Sequence, residues 1–136
     1  MYTVADVMTK DPITVGPDDT LERAETLMRN GPLRHLPVVH HGKLVGLLTQ
    51  RDILSARART PAAVREVMVT DVVTGTERMP LRRAARTLYE HRFGCLPILD
   101  EKRAVAGILT ETDFIRFAAE MVTDFDRIEA AVRKTA

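Results

Sequence analysis

Apolar positions recur along the chain in two spacings, one typical of helices and one typical of short strands. Leu21, Ala24 and Met28 are three and four residues apart, so their side chains share one face of a predicted helix. Acidic and hydroxyl residues directly before Leu21 are typical of a helix N-terminus. Residues 36–39 and 44–48 are instead short apolar runs on either side of a polar turn, which predicts a β-hairpin.

The chain repeats this pattern, because its two halves are copies of each other. A shift of 60 positions, and of 61 after a one-residue insertion, aligns the pairs Val7/Val67, Met8/Met68, Leu36/Leu96, Pro37/Pro97, Thr49/Thr110 and Asp52/Asp113. Each copy is predicted to run helix, strand, helix, strand, strand, helix, with its first strand at residues 13–15 or 72–74. The predicted fold class is therefore α+β, an internal duplication whose halves cover each other's apolar faces. We place the first motif at residues 1–60, the second at 61–122 and a C-terminal helical extension at 123–136.

The last helical stripe runs past the end of the second copy. Its apolar residues are Phe114, Phe117, Met121, Phe125, Ile128 and Val132. A long helix that packs back on its own domain would bury them, and so would contact with a second copy of the chain or with another protein. The third alternative is a kinked or frayed tail. We expect a homodimer whose contact includes this helix.

Composition and charge narrow the possible partners. The chain of 136 residues has 20 basic and 19 acidic residues, and its formal charge of +1 gives no long-range attraction to nucleic acid or to an anionic membrane. Its apolar runs are too short to span a bilayer, and its first residues lack the pattern of a signal peptide. A single cysteine excludes an internal disulfide framework. We expect a soluble, cytoplasmic protein that contacts no membrane.

The most informative segment closes each copy, where Thr49 and Thr110 are followed three residues later by Asp52 and Asp113. One interpretation is a capping box, in which the hydroxyl and the carboxylate satisfy the first backbone N–H groups of a helix. The other is a ligand site, because a helix N-terminus attracts phosphate and a carboxylate can accept hydrogen bonds from both hydroxyls of a ribose. A glycine shortly before each segment leaves room for close approach of another backbone or a flat ring.

Both copies combine an early Val-Met, a central Leu-Pro and a closing Gly-[Leu/Ile]-Leu-Thr-x-x-Asp, and in this they resemble a tandem CBS-domain (cystathionine β-synthase domain) pair. The likeness covers residues 3–118. It implies a disc-like pair with two clefts related by a pseudo-twofold axis. It also implies that the clefts bind an adenosine-containing ligand, which is AMP, ADP, ATP, S-adenosylmethionine or an NAD-type molecule.

The resemblance assigns roles to individual residues. Asp52 and Asp113 would bind the ribose hydroxyls, and Thr49 and Thr110 would lie at the ribose and phosphate. The adenine would sit against two sets of residues, which are Ile13, Thr14, Leu36 and Pro37 in one cleft and Val73, Thr74, Leu96 and Pro97 in the other. The predicted site also includes positions that differ between the copies: Arg34, His35 and Arg51 in the first, and Cys95 and Thr112, with Gly94 beside them, in the second. This difference in charge predicts unequal clefts, of which one favours a more anionic ligand.

Other candidate chemistry is weak. The sequence has no nucleophile elbow, no phosphate-binding Gly-rich loop and no Cys–His pair at an informative spacing. We therefore expect that the protein is not an enzyme. His40 and His41 are adjacent at a predicted strand end, where side chains point to opposite faces, so we expect no metal site. Cys95 is either a small buried hydrophobe or a redox sensor.

The sequence thus predicts a regulatory sensor of adenosine nucleotides that requires no cofactor and transmits its state to a regulated protein partner. One alternative is a structural protein–protein interaction module whose clefts stay empty. The other is a nucleic-acid-binding protein that uses arginine-rich edges, which the charge balance disfavours.

Overall fold

The computed structural model describes residues 1–135. Its helices are α1 (Leu21–Asn30), α2 (Gln50–Ala56), α3 (Leu81–His91) and α4 (Glu111–Thr135). Its strands are β1 (Thr9–Lys10), β2 (His35–His40), β3 (Lys43–Thr49), β4 (Gly75–Thr76), β5 (Cys95–Leu99) and β6 (Val105–Thr110). Short 3₁₀ helices cover Val4–Asp6, Arg57–Arg59 and Val64–Glu66. This mixture of helices and strands confirms the predicted α+β class.

Two antiparallel hairpins form the framework, one in each repeat. β2 pairs with β3 and β5 pairs with β6, as the two polar turns predict, and both hairpins carry a bulge at the matching place. The early extended segments pair in parallel with the first hairpin strand, through a bridge from Val15 to Val38 and through β4 to β5. Pairing in the second repeat begins at Gly75, directly after the predicted strand at residues 72–74.

The two central helices bury the apolar stripes that predict them. α1 buries Leu21, Ala24 and Met28, and α3 buries the three equivalent positions. Thr20 caps α1, because its hydroxyl accepts a hydrogen bond from the backbone N–H of Arg23 at 3.1 Å. A cap of this kind contributes about 1 kcal/mol to helix stability. Each helix packs on the first strand of its hairpin, so that each repeat has a core of its own.

The first segment of each repeat packs in the core of the other repeat. Val4 belongs to the core built by α3, β5 and β6, whereas Val64 and Val67 belong to the core built by α1, β2 and β3. The backbone follows the same exchange, because β1 pairs with β6 and Val69 forms a bridge to Leu47 in β3. Both cores therefore contain residues from both repeats, and the halves cover each other as the duplication predicts.

Glycine is required where these exchanged segments cross the hairpins. A Cβ at Gly46 would lie 2.7 Å from Met68 Sδ. A Cβ at Gly107 would lie 2.6 Å from Met8 Sδ and 2.8 Å from the carbonyl oxygen of Thr9. A larger residue would force the methionine side chain and the exchanged segment to shift, since a glycine in a strand often marks close approach of another backbone. The close approach predicted for these two glycines is confirmed.

α4 is one continuous helix of 25 residues, of which the first turns pack on the protein. Phe114 and Phe117 lie against the core of the second repeat, and the Tyr2 ring meets the Phe117 ring edge to face with centroids 5.0 Å apart. From Met121 onwards the stripe is exposed, and Phe125 is 70% exposed. Packing on its own domain therefore accounts for the first half of the apolar stripe and not for the second half. Neither α4 nor any other helix within residues 1–135 is long and apolar enough to cross a membrane.

Candidate ligand-binding cleft

A cleft opens between the repeats at the end of β3, beside the start of α2. Its volume is about 430 Å³, a size that suits a small-molecule ligand. The first repeat lines it with His35, Leu47, Thr49, Arg51 and Asp52. The second repeat lines it with Val69, Asp71, Val72, Val73, Arg92, Phe93, Gly94, Cys95 and Glu111. Residues 69–73 reach this cleft because the first segment of the second repeat pairs with β3.

Asp52 presents an available carboxylate to this cleft. Its backbone N–H donates a hydrogen bond to Thr49 Oγ1 at 3.0 Å, which caps α2 and fixes the position of the residue. The side chain is partly exposed, and it forms no hydrogen bond or ion pair with any other of the residues 1–135. Its two oxygens are therefore open to hydrogen-bond donors of a ligand.

Asp113 occupies the matching place in the second repeat, but its carboxylate is buried and fully bonded. The residue is 2% exposed. Thr110 donates to Oδ2 through its backbone N–H at 2.8 Å and through its hydroxyl at 3.2 Å. Thr9 donates its hydroxyl to Oδ1 at 2.9 Å, and the guanidinium of Arg116 binds the same oxygen. The capping box is complete here, and the protein itself occupies both oxygens.

Two differences between the repeats account for the two donors to Asp113 Oδ1. The place of Thr9 is taken by Val69 in the second copy, and Val69 has no side-chain donor. The place of Arg116 is taken by Ser55 in the first copy, and serine is too short to reach back along the helix as the arginine does. Because the first segments are exchanged, Thr9 lies beside Asp113 and Val69 lies at the cleft of Asp52.

Charged groups of both signs line the cleft of Asp52. Arg51 and Arg92 are cationic, and Asp71 and Glu111 are anionic. Among the residues that the structure describes, none of these four groups takes part in an ion pair within 4.0 Å. Charges that the protein leaves unpaired around an opening attract charged groups of a ligand. The cleft therefore suits a molecule that carries an anionic group, a cationic group or both.

His35 lies where the two repeats meet at this cleft. A Cβ at Gly94 would be 2.5 Å from His35 Nε2, so glycine is needed for the ring to fit against the second repeat. Burial lowers the pKa of His35 below its usual value, against a raising effect of Glu111, and Arg34 lowers the pKa further while Asp52 raises it. The net shift favours the neutral form of the ring.

The structure brings six of the predicted ligand-binding residues together in this one cleft: His35, Thr49, Arg51, Asp52, Val73 and Cys95. The two predicted Leu-Pro pairs are instead fully buried: Leu36, Pro37, Leu96 and Pro97. Leu36 and Leu96 form part of the two cores. Since side chains alternate along a strand, Leu36 points into the core while its neighbour His35 faces the cleft.

The remaining predicted residues lie outside the lining of this cleft: Ile13, Thr14, Arg34, Thr74, Thr110, Thr112 and Asp113. Sequence reasoning missed seven residues that do line it: Leu47, Val69, Asp71, Val72, Arg92, Phe93 and Glu111. Gly94, which the sequence analysis names beside Cys95, also lines the cleft. All of the missed residues except Leu47 belong to the second copy, and they were missed because residues were grouped by copy, whereas the cleft combines both copies. The available signal was Gly46, which marks where the second copy's first segment crosses β3.

The other candidate groups behave differently from a reactive or metal-binding site. Burial raises the pKa of the Cys95 thiol to about 12, which supports the interpretation as a small buried hydrophobe. The prediction that His40 and His41 face opposite sides is wrong, because their ring centroids are 3.9 Å apart. His41 begins the turn with φ +50°, so the strand alternation has already ended there. Residues 1–135 contain no group of three His, Cys, Asp or Glu side chains that could hold a metal ion.

Comparison with known proteins finds the same repeated domain. The family description "CBS domain" matches residues 4–59 and again residues 64–120. The CBS domain-containing protein YhcV of Bacillus subtilis is 39% identical over 119 residues, which cover 83% of this chain and 83% of that protein.

Solved structures of CBS-domain pairs superpose on most of this chain. The CBS-domain pair of protein MJ0100, in complex with 5′-methylthioadenosine and S-adenosyl-L-methionine, has a TM-score of 0.83 at 31% identity and covers 89% of this chain and 98% of that one. CBSX2 in complex with AMP has a TM-score of 0.83 at 28% identity, with the same coverage of 89% and 98%. CBSX2 comes from Arabidopsis thaliana.

Several curated relatives are much longer than this chain. L-aspartate semialdehyde sulfurtransferase of Methanocaldococcus jannaschii is 33% identical over 114 residues, which are 83% of this chain and 22% of that enzyme. Inosine-5′-monophosphate dehydrogenase of the same organism is 38% identical over 112 residues, which are 82% of this chain and 22% of that enzyme. The matched region is thus about a fifth of each of these two enzymes.

Proposed function

Because the chain belongs to the CBS-domain family, we propose that it is a regulatory module that binds an adenosine-containing ligand in the cleft of Asp52 and has no catalysis of its own. The observation that carries the proposal is the open carboxylate of Asp52, which faces a cleft of about 430 Å³ between the repeats. The related pairs described above, which bind 5′-methylthioadenosine, S-adenosyl-L-methionine or AMP, support the same class of ligand.

The ribose is the part of the ligand for which the cleft offers the clearest partner. A carboxylate accepts two hydrogen bonds from a vicinal diol, and Asp52 has both oxygens available. The hydrogen bond from its backbone N–H to Thr49 holds this part of the backbone at the start of α2 before the ligand arrives. A backbone that is already ordered lowers the entropic cost of binding.

The other charged side chains of the cleft determine which group attached to the adenosine is bound. Arg51 and Arg92 would bind a phosphate, as in AMP, ADP, ATP or an NAD-type ligand. Asp71 and Glu111 would bind a cationic group, as in S-adenosylmethionine. Both classes therefore stay within the proposal, and a panel of ligands at matched concentration separates them.

Binding would act on the contact between the repeats. The cleft has one wall from each repeat, so a ligand that touches both stabilises the arrangement in which the walls fit it best. A ligand shifts such an equilibrium by its difference in affinity for the two arrangements. In the proposed role, a protein partner in the cytoplasm reads that shift.

The first test removes the acceptor. A hydrogen bond to a charged group contributes about 1.5–3 kcal/mol, so the net loss of even one such bond in Asp52→Ala should weaken adenosine-nucleotide binding roughly ten- to a hundredfold. A 2′-deoxy ligand should bind worse than its ribose form to the unmodified protein, and the variant should discriminate less between the two. Isothermal titration calorimetry measures both effects. If Asp52→Ala binds AMP, ATP and S-adenosylmethionine as the parent does, the ribose role of Asp52 is wrong.

We also propose that the chain forms a homodimer through α4. The exposed half of its apolar stripe supports this, since Phe125, Ile128 and Val132 are 70%, 62% and 61% exposed. Exposed apolar surface of this kind marks contact sites. Removal of residues 123–136 should lower the mass measured by light scattering from that of two chains to that of one. An unchanged mass would place the interface elsewhere, and the same apolar face would then favour the alternative of a module that binds another protein.

A further inference from the structure

Asp113 lies outside the proposed ligand site, and its bonding points to a separate role. A carboxylate offers about four acceptor sites. Those of Asp113 receive four donors, which are the Thr9 hydroxyl, the Arg116 guanidinium, and the backbone N–H and hydroxyl of Thr110. The bond from Thr9 joins residues 104 positions apart, and it ties the first segment of the chain to the start of α4.

We infer that Thr9 and Arg116 lock the second Thr-x-x-Asp segment against a ribose, so that each chain binds one adenosine ligand, at Asp52. This inference rests on the proposed function. A ribose at Asp113 would have to displace Thr9 and Arg116 from Oδ1, or both donors of Thr110 from Oδ2. At Asp52 no donor of the described chain has to leave, and the positions equivalent to Thr9 and Arg116 hold Val69 and Ser55.

This lock, which Thr9 and Arg116 form on Asp113, would keep the ribose away from the carboxylate whatever charge the ligand carries. The copies also differ in cations, since Arg34 and Arg51 in the first stand against Gly94 and Thr112 in the second. That difference affects phosphates, but it has little influence on uncharged adenosine. Adenosine itself is therefore the probe that isolates the lock.

The test opens the lock without changing the cleft of Asp52. The double variant T9V/R116S gives the second copy the residues found in the first, and valine has nearly the shape of threonine. We expect calorimetry with adenosine to give one site per chain in the parent and two in T9V/R116S. The matched control T9S/R116K keeps both donors, so it should stay at one site per chain. The melting temperature of T9V/R116S should fall below that of T9S/R116K, because Asp113 loses two hydrogen-bond donors in the first variant and keeps them in the second.

Two results would overturn the lock. One is a parent protein with two equal adenosine sites, one of which disappears in Asp113→Ala. The other is a T9V/R116S protein that still binds at Asp52 and takes up one adenosine. If the double variant does not fold, Asp113→Ala alone decides: an unchanged stoichiometry and affinity supports the lock, and the loss of a site contradicts it. A parent protein that binds neither AMP, S-adenosylmethionine nor adenosine contradicts the proposed function, and the lock falls with it.

Discussion

Asp52 and Asp113 stand at the same place in two copies of one motif, and they differ in what reaches them from the rest of the chain. Each follows a strand-ending threonine and lies in the first turn of a helix. Asp52 faces an open cleft, whereas Asp113 is 2% exposed and bound by Thr9, Thr110 and Arg116. The local motif places both carboxylates, and two residues outside the motif, Thr9 from a distant segment and Arg116 on the next turn of α4, supply the donors to Asp113 Oδ1.

The contrast shows how a duplicated unit can divide two tasks between its copies. An open carboxylate favours ligand binding, but it adds little to the stability of the empty protein. A buried carboxylate with four donors contributes to stability and loses its access to ligands. One pair of exchanged positions, Thr9 and Val69, accounts for one of the four donors, because the exchanged segments bring each of them to the opposite repeat's aspartate.

The largest expected effect is on stability and separates the two carboxylates. Asp113→Ala removes a helix cap and the bond to Thr9, so the free energy of unfolding should fall by about 2.5–4 kcal/mol, given about 1 kcal/mol for a cap and about 1.5–3 kcal/mol for a hydrogen bond to a charged group. Asp52→Ala breaks no side-chain hydrogen bond among the described residues, so it should cost less than about 1 kcal/mol, the scale of an acidic residue in the first turn of a helix. Urea unfolding without ligand measures both.

A conservative variant controls for the change in size. Asp113→Asn keeps the shape of the side chain and one acceptor oxygen. Its free energy of unfolding should therefore lie between that of the parent protein and that of Asp113→Ala. Equal losses for Asp52→Ala and Asp113→Ala would show that the two carboxylates are energetically alike, which would remove the basis of the comparison.

The next largest effect concerns the glycines at which the first segment of each repeat crosses the hairpin of the other repeat. A Cβ added at Gly107 meets the Thr9 carbonyl oxygen at 2.8 Å, and one added at Gly46 meets the Val69 carbonyl oxygen at 3.0 Å. Overpacking of this kind typically costs about 1–3 kcal/mol, so both alanine variants should be destabilised, and Gly107→Ala more than Gly46→Ala. Thermal unfolding measures the order.

The glycine comparison has an internal control. A Cβ at Gly16 would meet its nearest neighbour at 3.6 Å, which is ordinary van der Waals contact. Gly16→Ala should therefore leave the melting temperature nearly unchanged. A melting temperature for Gly107→Ala equal to that of Gly16→Ala would mean that the exchanged segment can move away at no cost.

Much of the fold could be predicted because its signals are local. The spacing of Leu21, Ala24 and Met28 specifies the buried face of α1, and apolar runs around polar turns specify both hairpins. The duplication then predicts a second half like the first. The starts of both helices after the hairpins follow from Thr49 and Thr110 in the same way.

The site could be predicted in part, because its decisive contacts join distant segments. Thr49 and Asp52 follow from the motif, but the role of Thr9 depends on a bond across 104 positions. The alternation along β2 also escaped the prediction, which assigned Leu36 to the cleft although it is fully buried. Local patterns show which residues share a face, and they do not show which repeat supplies the opposite wall.

The smallest expected effect comes from His35, whose place in the second repeat is taken by Cys95. Burial lowers the pKa of His35, so the unfolded chain binds a proton at a higher pH than the folded chain does. The folded state therefore loses stability as the pH falls below the usual histidine value of about 6.5, until the pH passes the lowered pKa and the loss levels off. Burial also raises the pKa of Cys95 to about 12, so this thiol does not titrate in the same range.

The measurement is a difference between two proteins, because the acidic groups of the chain titrate as well. Melting temperatures of the parent and of His35→Gln are compared from about pH 7.5 to about pH 5.5, the range in which histidine changes charge. The parent should lose more stability than His35→Gln on acidification, since the glutamine side chain does not take up a proton in either the folded or the unfolded state. Parallel curves would show that the ring accepts its proton in the folded cleft as easily as in water. In that case Glu111 and Asp52, which both raise the pKa of His35, outweigh the effect of burial at the meeting point of the two repeats.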